Sequence, residues 1–256
     1  MTAEPGARLL VVVAHPDDES IACGATIARA AAAGVRVIIV SLTRGEAGPS
    51  AGERGPDALA ATRWRELQAA AGRLGAAAVA TCGHADGLLP WTAPEVVIAD
   101  ITALIEAAAP AVVVTFGADG LYWHPDHVAV HERTTEAVRR LGPRAPALFY
   151  VTMPPGQMQA LVNADPAHRP AVPGLDDAAA FGACALAPTL VIPAGPFART
   201  KLAAIRCHAS QVAASAFAGL PDDDAPEVLA VEHFHRADVG ARGPTLLDAL
   251  AATAHA

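Results

Sequence analysis

The sequence predicts an α/β protein with a Rossmann-like, mostly parallel sheet, helices on both faces and a C-terminal α/β extension. Two observations carry this prediction. Over residues 1–152, short apolar runs that are typical of buried strands alternate with longer, alanine-rich stretches that are typical of helices. The 256-residue chain is also 53% hydrophobic, with a mean hydropathy of +0.33, so it can bury the core that such a sheet needs.

Five apolar runs of strand length predict the strands of the sheet, at residues 8–14, 35–42, 76–82, 111–116 and 147–152. Between them we predict helices at residues 18–33, 58–74 and 94–109, and a fourth that ends near Leu141. Gly34 and Gly75 follow the first two helices, at the position where glycine commonly ends a helix. Pro94 opens the third helix, where proline is tolerated.

The last hundred residues have a less regular pattern. Residues 153–173 are rich in proline and polar side chains and predict a lid or excursion; beyond them we predict a strand near 185–192, a helix over 197–208 and a strand near 228–234. This pattern is too irregular for a second core. We therefore expect a single domain over residues 1–256, with a core at 1–152 and a lid and C-terminal extension at 153–256.

Charge and composition argue against several classes of partner. The 26 acidic residues outnumber the 18 Lys and Arg, which gives a net charge of −8 and argues against a nucleic-acid partner. No apolar run reaches the roughly 18 residues of a membrane helix, and Glu4 and Pro5 interrupt any signal peptide. The four cysteines form no CxxC motif. We expect a cytoplasmic protein without a membrane partner.

Polar residues are concentrated after two of the predicted strands. The first strand is followed by His15, Asp17, Asp18 and Glu19, and the fourth by Tyr122, His124, Asp126 and His127. Open α/β sheets bind their ligands at the carboxyl ends of strands. Helix capping explains one or two acids at such a place. It does not explain a histidine and three acids within five residues.

The spacing within both clusters favours a metal site. His15 and Asp18, like His124 and His127, are three residues apart, so the turn that opens a helix can direct both members of a pair into one cleft. Two histidines and one aspartate form an N,N,O set suited to Zn²⁺ or Fe²⁺, with a position left open for water.

The remaining residues of these clusters can supply proton transfer. Asp17 or Glu19 could accept the proton of a water at the metal. His124, if it is not a ligand, could stabilise a developing oxyanion while Asp126 holds its ring. The stretch around Gly24 lacks the GxGxxG motif, which argues against dinucleotide binding.

Two motifs resemble a known family. His15-Pro16-Asp17-Asp18-Glu19 and His124-Pro125-Asp126-His127 resemble the paired signatures of the LmbE/PIG-L family of metal-dependent de-N-acetylases. The segments 43–46, 63–67 and 201–211 are also similar, so the resemblance covers most of the chain. It is strongest to the branch that deacetylates N-acetylglucosaminyl-inositol in the mycothiol pathway.

The resemblance implies a role for each matching residue. It implies zinc ligands at His15, Asp18 and His127, and a general base at Asp17. It implies that His124 is the electrophilic or acid partner, oriented by Asp126, that Tyr122 polarises the amide carbonyl, and that sugar or inositol hydroxyls are contacted by Arg63 and Asp86. Arg63 could equally be a helix-surface partner of Glu66.

We therefore expect a Zn²⁺-dependent hydrolase, with Fe²⁺ as the other candidate metal, that removes acetyl from an N-acetylglucosamine-type glycoside. The substrate partner would be a small-molecule amide of an amino sugar, and the family resemblance also implies a homo-oligomer. An amidase of a thiol conjugate and a tailoring deacetylase of a glycosylated natural product are the alternatives among hydrolases. A non-catalytic sugar-binding protein is the alternative from another class, although the chain retains every ligand and base of the motifs.

Overall fold

We describe the fold from a computed structural model of the chain, for residues 6–49, 52, 55–173, 175, 177–184 and 186–252. Among these residues, seven strands form one sheet: β1 (Arg8–Val13), β2 (Arg36–Thr43), β3 (Ala78–His84), β4 (Val112–Phe116), β5 (Ala147–Thr152), β6 (Leu190–Pro193) and β7 (Val231–Gly240). Their order is β3-β2-β1-β4-β5-β7-β6. Strands β1 to β5 pair in parallel, whereas β7 runs antiparallel to both β5 and β6. The predicted α/β class with a mostly parallel sheet is confirmed.

The helices of the described residues connect and cover these strands. They are α1 (Asp18–Ala32), α2 (Pro56–Leu74), α3 (Pro94–Ala108), α4 (Gly120–Trp123), α5 (Pro125–Leu141), α6 (Gln157–Ala164), α7 (Phe197–Ile205), α8 (Ala209–Val212), α9 (Ala216–Gly219), α10 (Ala225–Val228) and α11 (Leu246–Ala252). Apart from Arg8 and Thr115, strands β1 and β4 consist of apolar residues, and every residue except Arg8 is buried, as expected for central parallel strands. None of the described helices is both long and apolar enough to cross a membrane. Glu4 and Pro5, which argue against a signal peptide, lie outside the described residues.

The predicted boundaries hold best where strands and helices alternate regularly. The first five strands and the helices between them lie within a few residues of their predicted positions. The C-terminal part differs more. The strand predicted near 185–192 is shorter and later, as β6, and the strand predicted near 228–234 is the longer β7. The helix predicted over 197–208 ends at Ile205. After it, the backbone N–H groups of Cys207 and His208 donate to carbonyls three residues back, and His208 is not helical, with φ −83° and ψ 49°.

A buried ion pair attaches the C-terminal part to the core. Helix α1 is interrupted at Cys23, whose φ of −147° is not helical. The carboxylate of Glu232, on β7, accepts the backbone N–H groups of Ala25 (2.9 Å) and Thr26 (2.7 Å) that this break exposes. Lys201, on α7, lies 2.7 Å from the same carboxylate. Both charged side chains are almost completely buried, so residues beyond 153 complete the core helix as well as the sheet.

Candidate active site

The carboxyl ends of β1 and β4 form the centre of the site. These two strands are neighbours in the sheet, although they are far apart in sequence. The chain leaves β1 toward β2 on one side and leaves β4 toward β5 on the other, so a crevice opens between the two connections. Residues that follow both strands line a cavity of about 380 Å³ in this crevice. They include His15, Asp17, Asp18, Tyr122 and His124.

Ligand atoms of three side chains converge at the edge of this cavity. Nδ1 of His15 lies 3.2 Å from Nε2 of His127. Asp18 offers one carboxylate oxygen 3.2 Å from His127 Nε2 and the other 3.4 Å from His15 Nδ1. Ligands about 2.0–2.1 Å from a tetrahedral zinc ion are separated by roughly 3.3–3.4 Å. The distance between the two ring nitrogens, and the distance from each of them to a carboxylate oxygen of Asp18, are therefore close to those around a tetrahedral metal ion.

Hydrogen bonds at the outer edges of the two rings determine which nitrogens carry lone pairs. Nε2 of His15 lies 3.0 Å from Asp86 and 3.1 Å from Asp126, so it carries the proton shared with these carboxylates. Nδ1 of His127 donates to the backbone carbonyl of Gly120 at 3.1 Å. When both rings are neutral, the lone pairs of His15 Nδ1 and His127 Nε2 face each other and repel. A cation bound between them would remove this repulsion.

His124 also lies within ligand distance of this group. A ring nitrogen of His124 is within 4.8 Å of nitrogens of His15 and His127. However, Nδ1 of His124 accepts the backbone N–H of Asp126 at 3.2 Å, which leaves the proton of the neutral ring on Nε2. Burial, with repulsion from His127 and His15, lowers the pKa of His124 to about 4. His124 is therefore arranged as a neutral hydrogen-bond donor, which distinguishes it from the three ligand candidates.

The carboxylate of Asp126 does not have the role that we expected. It was expected to orient His124, but only its backbone N–H contacts that ring. The carboxylate is completely buried and contacts His15 Nε2 instead, while it accepts the backbone N–H groups of Gly87 (2.8 Å) and Leu89 (3.1 Å). Because helix α5 starts beside the end of β1, the side chain of Asp126 turns toward His15 and positions that ring.

Asp86 holds the same ring from the loop after β3. One of its oxygens lies 3.0 Å from His15 Nε2, and the other accepts the backbone N–H of Ala47 at 2.8 Å. Burial raises the pKa of Asp86, but the hydrogen bond and charge of His15, the backbone N–H of Ala47 and the charge of Arg63 together outweigh it, so the net shift of this pKa is downward. Asp86 lines the cavity, as a sugar contact would, yet both of its oxygens are already engaged.

Asp17 points into the cavity from a strained backbone. Its φ of 125° is rarely adopted by residues other than glycine, and such strain is typical of functional sites. Its carboxylate lies 3.1 Å from the guanidinium of Arg63. Burial and the nearby charge of Asp18 raise the pKa of Asp17 to about 6, although Arg63 opposes this shift.

Arg63 is a buried part of the site. It donates to the backbone carbonyls of Pro16 (2.6 Å) and Gly45 (2.9 Å), and only 4% of its surface is exposed. The alternative of a surface pair with Glu66 is wrong, because Glu66 accepts instead from the backbone N–H (2.8 Å) and hydroxyl (2.6 Å) of Ser210.

Sequence reasoning missed the function of a buried pair beneath Asp17. Glu19 is completely buried and does not line the cavity, so it is not placed as a second base. One oxygen accepts the backbone N–H of Asp17 at 3.0 Å, and the other lies 2.9 Å from His208 Nε2. These contacts hold the backbone of Asp17. The available signal was the segment 201–211, which contains His208 and resembles the family, but the sequence does not show that His208 meets Glu19.

The segment before the second motif positions Tyr122. Leu121 and Trp123 both have positive φ angles, of 68° and 63°, on either side of it. The Tyr122 ring lies against His124 and His127, with centroid distances of 5.8 and 5.4 Å. Burial, together with the charges of Asp18 and Asp17, raises the pKa of Tyr122 above that of a free phenol. Its hydroxyl therefore stays protonated and can donate a hydrogen bond into the cavity.

Comparison with known proteins agrees with this geometry. The family model of the PIG-L GlcNAc-PI de-N-acetylases matches residues 10–138, a segment that contains both motifs. The chain belongs to the PIG-L family. Its relatives include proteins named 1D-myo-inositol 2-acetamido-2-deoxy-alpha-D-glucopyranoside deacetylase. The one from Actinosynnema mirum is 34% identical over 95% of both chains, and the one from Kineococcus radiotolerans is 34% identical over 84% of this chain and 71% of its own.

Solved structures share the fold of this PIG-L protein. The N,N'-diacetylchitobiose deacetylase of Pyrococcus horikoshii has a TM-score of 0.63 at 20% identity, covering 93% of this chain and 87% of its own. The 4-carboxy-2-hydroxymuconate hydratase GalB of Pseudomonas putida has a TM-score of 0.65 at 19% identity, covering 93% and 99%. One fold thus carries two different reactions, so the reaction has to be argued from the site. As a PIG-L member, this chain is a hydrolytic enzyme.

Proposed function

We propose that this PIG-L protein is a zinc-dependent deacetylase that removes acetyl from an N-acetylglucosaminyl-inositol type of glycoside. The observation that carries the proposal is the triangle of His15, Asp18 and His127 beside the carboxylate of Asp17. The donor set also suits Fe²⁺. The names of the relatives from Actinosynnema mirum and Kineococcus radiotolerans support the substrate class.

In the proposed reaction, a metal ion and the side chains around it have separate roles. When a divalent cation is bound by His15, Asp18 and His127, it polarises an amide carbonyl and lowers the pKa of water. Asp17 accepts the proton of the water that attacks the amide carbon. Arg63 keeps the Asp17 carboxylate aimed into the cavity, and the elevated pKa of that carboxylate suits a group that takes up a proton and later releases it.

Two neutral donors face the carbonyl oxygen. The Nε2–H of His124 and the hydroxyl of Tyr122 donate to this oxygen as negative charge develops on it. Because Nδ1 of His124 accepts a backbone N–H, a second proton on this ring would break that bond. Protonated Asp17 is therefore the group that delivers a proton to the departing amine. Acetate and a free amino sugar are the products.

The test combines metal analysis with two substrates. Purified protein should contain about one zinc or iron ion per chain, and it should release amine from N-acetylglucosaminyl-inositol faster than from free N-acetylglucosamine. A chelator should abolish the release, and added metal should restore it. Release that is insensitive to chelator would contradict the mechanism. Metal without release from either substrate would contradict the substrate class and favour a thiol-conjugate amide or a glycosylated natural product.

A further inference from the structure

A second, smaller cavity opens beside Asp17. Its volume is about 60 Å³, and we call it the side cavity. Six of its eight lining residues are apolar: Ile21, Pro49, Ala171, Val172, Pro173 and Val212. The other two are Asp17 and Gln211. The side cavity is thus an apolar recess beside Asp17, the proposed base.

The side cavity adjoins the main one. Both are lined by Asp17, Pro49, Val172, Pro173 and Gln211, so they meet at the wall that these residues form. Their chemistry differs. The main cavity contains the charged groups of the site, among them His15, Asp18, Arg63 and Asp86, whereas the side cavity adds Ile21, Ala171 and Val212.

An N-acyl amino sugar also consists of a polar part and an apolar part. Its sugar is covered with hydroxyls, its acyl group is apolar, and the amide between them is the bond to be cleaved. With the amide carbon beside Asp17, a sugar in the main cavity leaves the acyl group directed at the side cavity. We propose that the side cavity binds the acyl group and that this protein cleaves short linear acyl groups longer than acetyl. The assignment rests on the proposed deacylase function.

The size of the side cavity sets the acyl length. About 10–15 Å³ is enough to hold one group the size of a water molecule, so about 60 Å³ leaves room beyond one methyl group. Its apolar walls come from four different parts of the chain: Ile21 of helix α1, Pro49, the segment 171–173 and Val212 at the end of α8. Since Ala171 and Val212 are themselves buried, the recess cannot lengthen without repacking. A propionyl or butyryl chain fits, and a hexanoyl chain is too long.

The experiment measures kcat/KM for amine release from glucosaminyl-inositol that carries formyl, acetyl, propionyl, butyryl or hexanoyl groups. We expect kcat/KM to rise by about fourfold for each methylene added to acetyl, until the chain reaches propionyl or butyryl. This factor is the gain that the burial of one methylene provides. It should fall for hexanoyl. This profile of the unaltered protein tests the proposal even if a variant fails to fold.

Two variants should move the optimum in opposite directions. Ile21→Ala enlarges the side cavity and should raise the hexanoyl-to-acetyl ratio by about tenfold, since three carbons are removed from the wall. Ala171→Leu fills the cavity and should lower the butyryl-to-acetyl ratio. Leu175→Ala is the matched control, because Leu175 lines the main cavity and not the side cavity. It should change all five values by a common factor.

The possible failures are distinguishable. If acetyl is removed but longer acyl groups are rejected, or if both variants leave the profile as it was, the side cavity does not bind the acyl group and the proposed deacetylase function stands. If amine is released from none of the five substrates, the proposed function fails, and the acyl assignment fails with it.

Discussion

At the scale of single residues, His15 connects the two halves of the site. Its Nδ1 faces His127 and Asp18, and its Nε2 faces Asp86 and Asp126. One imidazole is therefore both a candidate ligand and the group that two buried carboxylates orient. A carboxylate behind a histidine ligand fixes its tautomer and makes it more basic.

Removal of the buried carboxylate should weaken metal binding. We expect Asp126→Asn to lower zinc affinity by about 10- to 100-fold, because an amide no longer attracts the Nε2 proton of His15 as a carboxylate does. Competition with a coloured chelator measures this affinity. Asp100→Asn is the matched control, since Asp100 pairs with a different histidine, His84, at 2.9 Å. If the two variants bind zinc with equal affinity, Asp126 does not support the metal site.

Asp17 should be needed for turnover but not for metal binding. We expect Asp17→Asn to lower kcat by about 10²- to 10⁴-fold, the range that a general base contributes. The metal content should stay unchanged, because Asp17 is outside the triangle of ligand atoms. Steady-state kinetics and elemental analysis of the same preparation test both statements. Undiminished kcat would show that another group accepts the proton.

At the scale of secondary structure, short irregular segments at the ends of strands determine the geometry of the site. Helix α5 begins at Pro125, and its first turn supplies Asp126 and His127. The carbonyl of Gly120, in the preceding segment, accepts the Nδ1 proton of His127. A Cβ added at Gly120 would lie 2.9 Å from the Cβ of His127, so glycine is required there for contact as well as for its φ of 53°.

Gly120→Ala should therefore displace His127. We expect a loss of about 1–3 kcal/mol of stability from backbone strain and overpacking, together with weaker metal binding. Gly142→Ala is the matched control, because Gly142 has a similar φ of 55° but nothing within 4 Å of its added Cβ. It should lose stability through strain and keep its metal affinity. Thermal melts and chelator competition separate the two effects, and equal metal affinity in both variants would contradict the role of Gly120.

The buried pair of Lys201 and Glu232 links α1, α7 and β7. We expect Glu232→Gln to cost about 3–5 kcal/mol, because it leaves the ammonium group of Lys201 buried without a counter-charge. Lys201→Met should cost less, since Glu232 keeps the N–H groups of Ala25 and Thr26 as donors. Urea unfolding of both single variants and the double variant measures the coupling. A larger loss for Lys201→Met would reverse this ranking.

At the scale of the whole molecule, the sheet order brings the two motifs together. The strands that carry them are adjacent, although their ligands are 112 residues apart in the case of His15 and His127. A metal held by His15, Asp18 and His127 would join residues that follow these two strands. Its binding should therefore stabilise the whole folded chain.

Metal removal should lower the melting temperature. At a free metal concentration about 1,000 times its Kd, binding contributes about 4 kcal/mol of stability, which for a chain of this size corresponds to roughly 10 °C. Differential scanning calorimetry with and without chelator measures the shift. Asp18→Asn, which loses a ligand candidate, should melt at nearly the same temperature in both conditions. An unchanged melting temperature of the unaltered, metal-loaded protein would contradict binding between the two connections.

The order of strands and helices through β5, and the two clusters of polar residues at the candidate site, could be predicted from the sequence alone. Apolar periodicity predicts the strands and helices, and the histidines and acids that follow two strands predict the place of the site. Both patterns involve residues that are close together in the sequence. The contacts of Asp126 with His15 and of His208 with Glu19 could not be predicted in this way, since they join residues 111 and 189 positions apart. Only the packing of helices against the sheet decides which buried donor meets which acceptor. The tertiary structure therefore determined that Asp126 supports His15, that Glu19 holds the backbone of Asp17, and that an apolar recess lies beside that base.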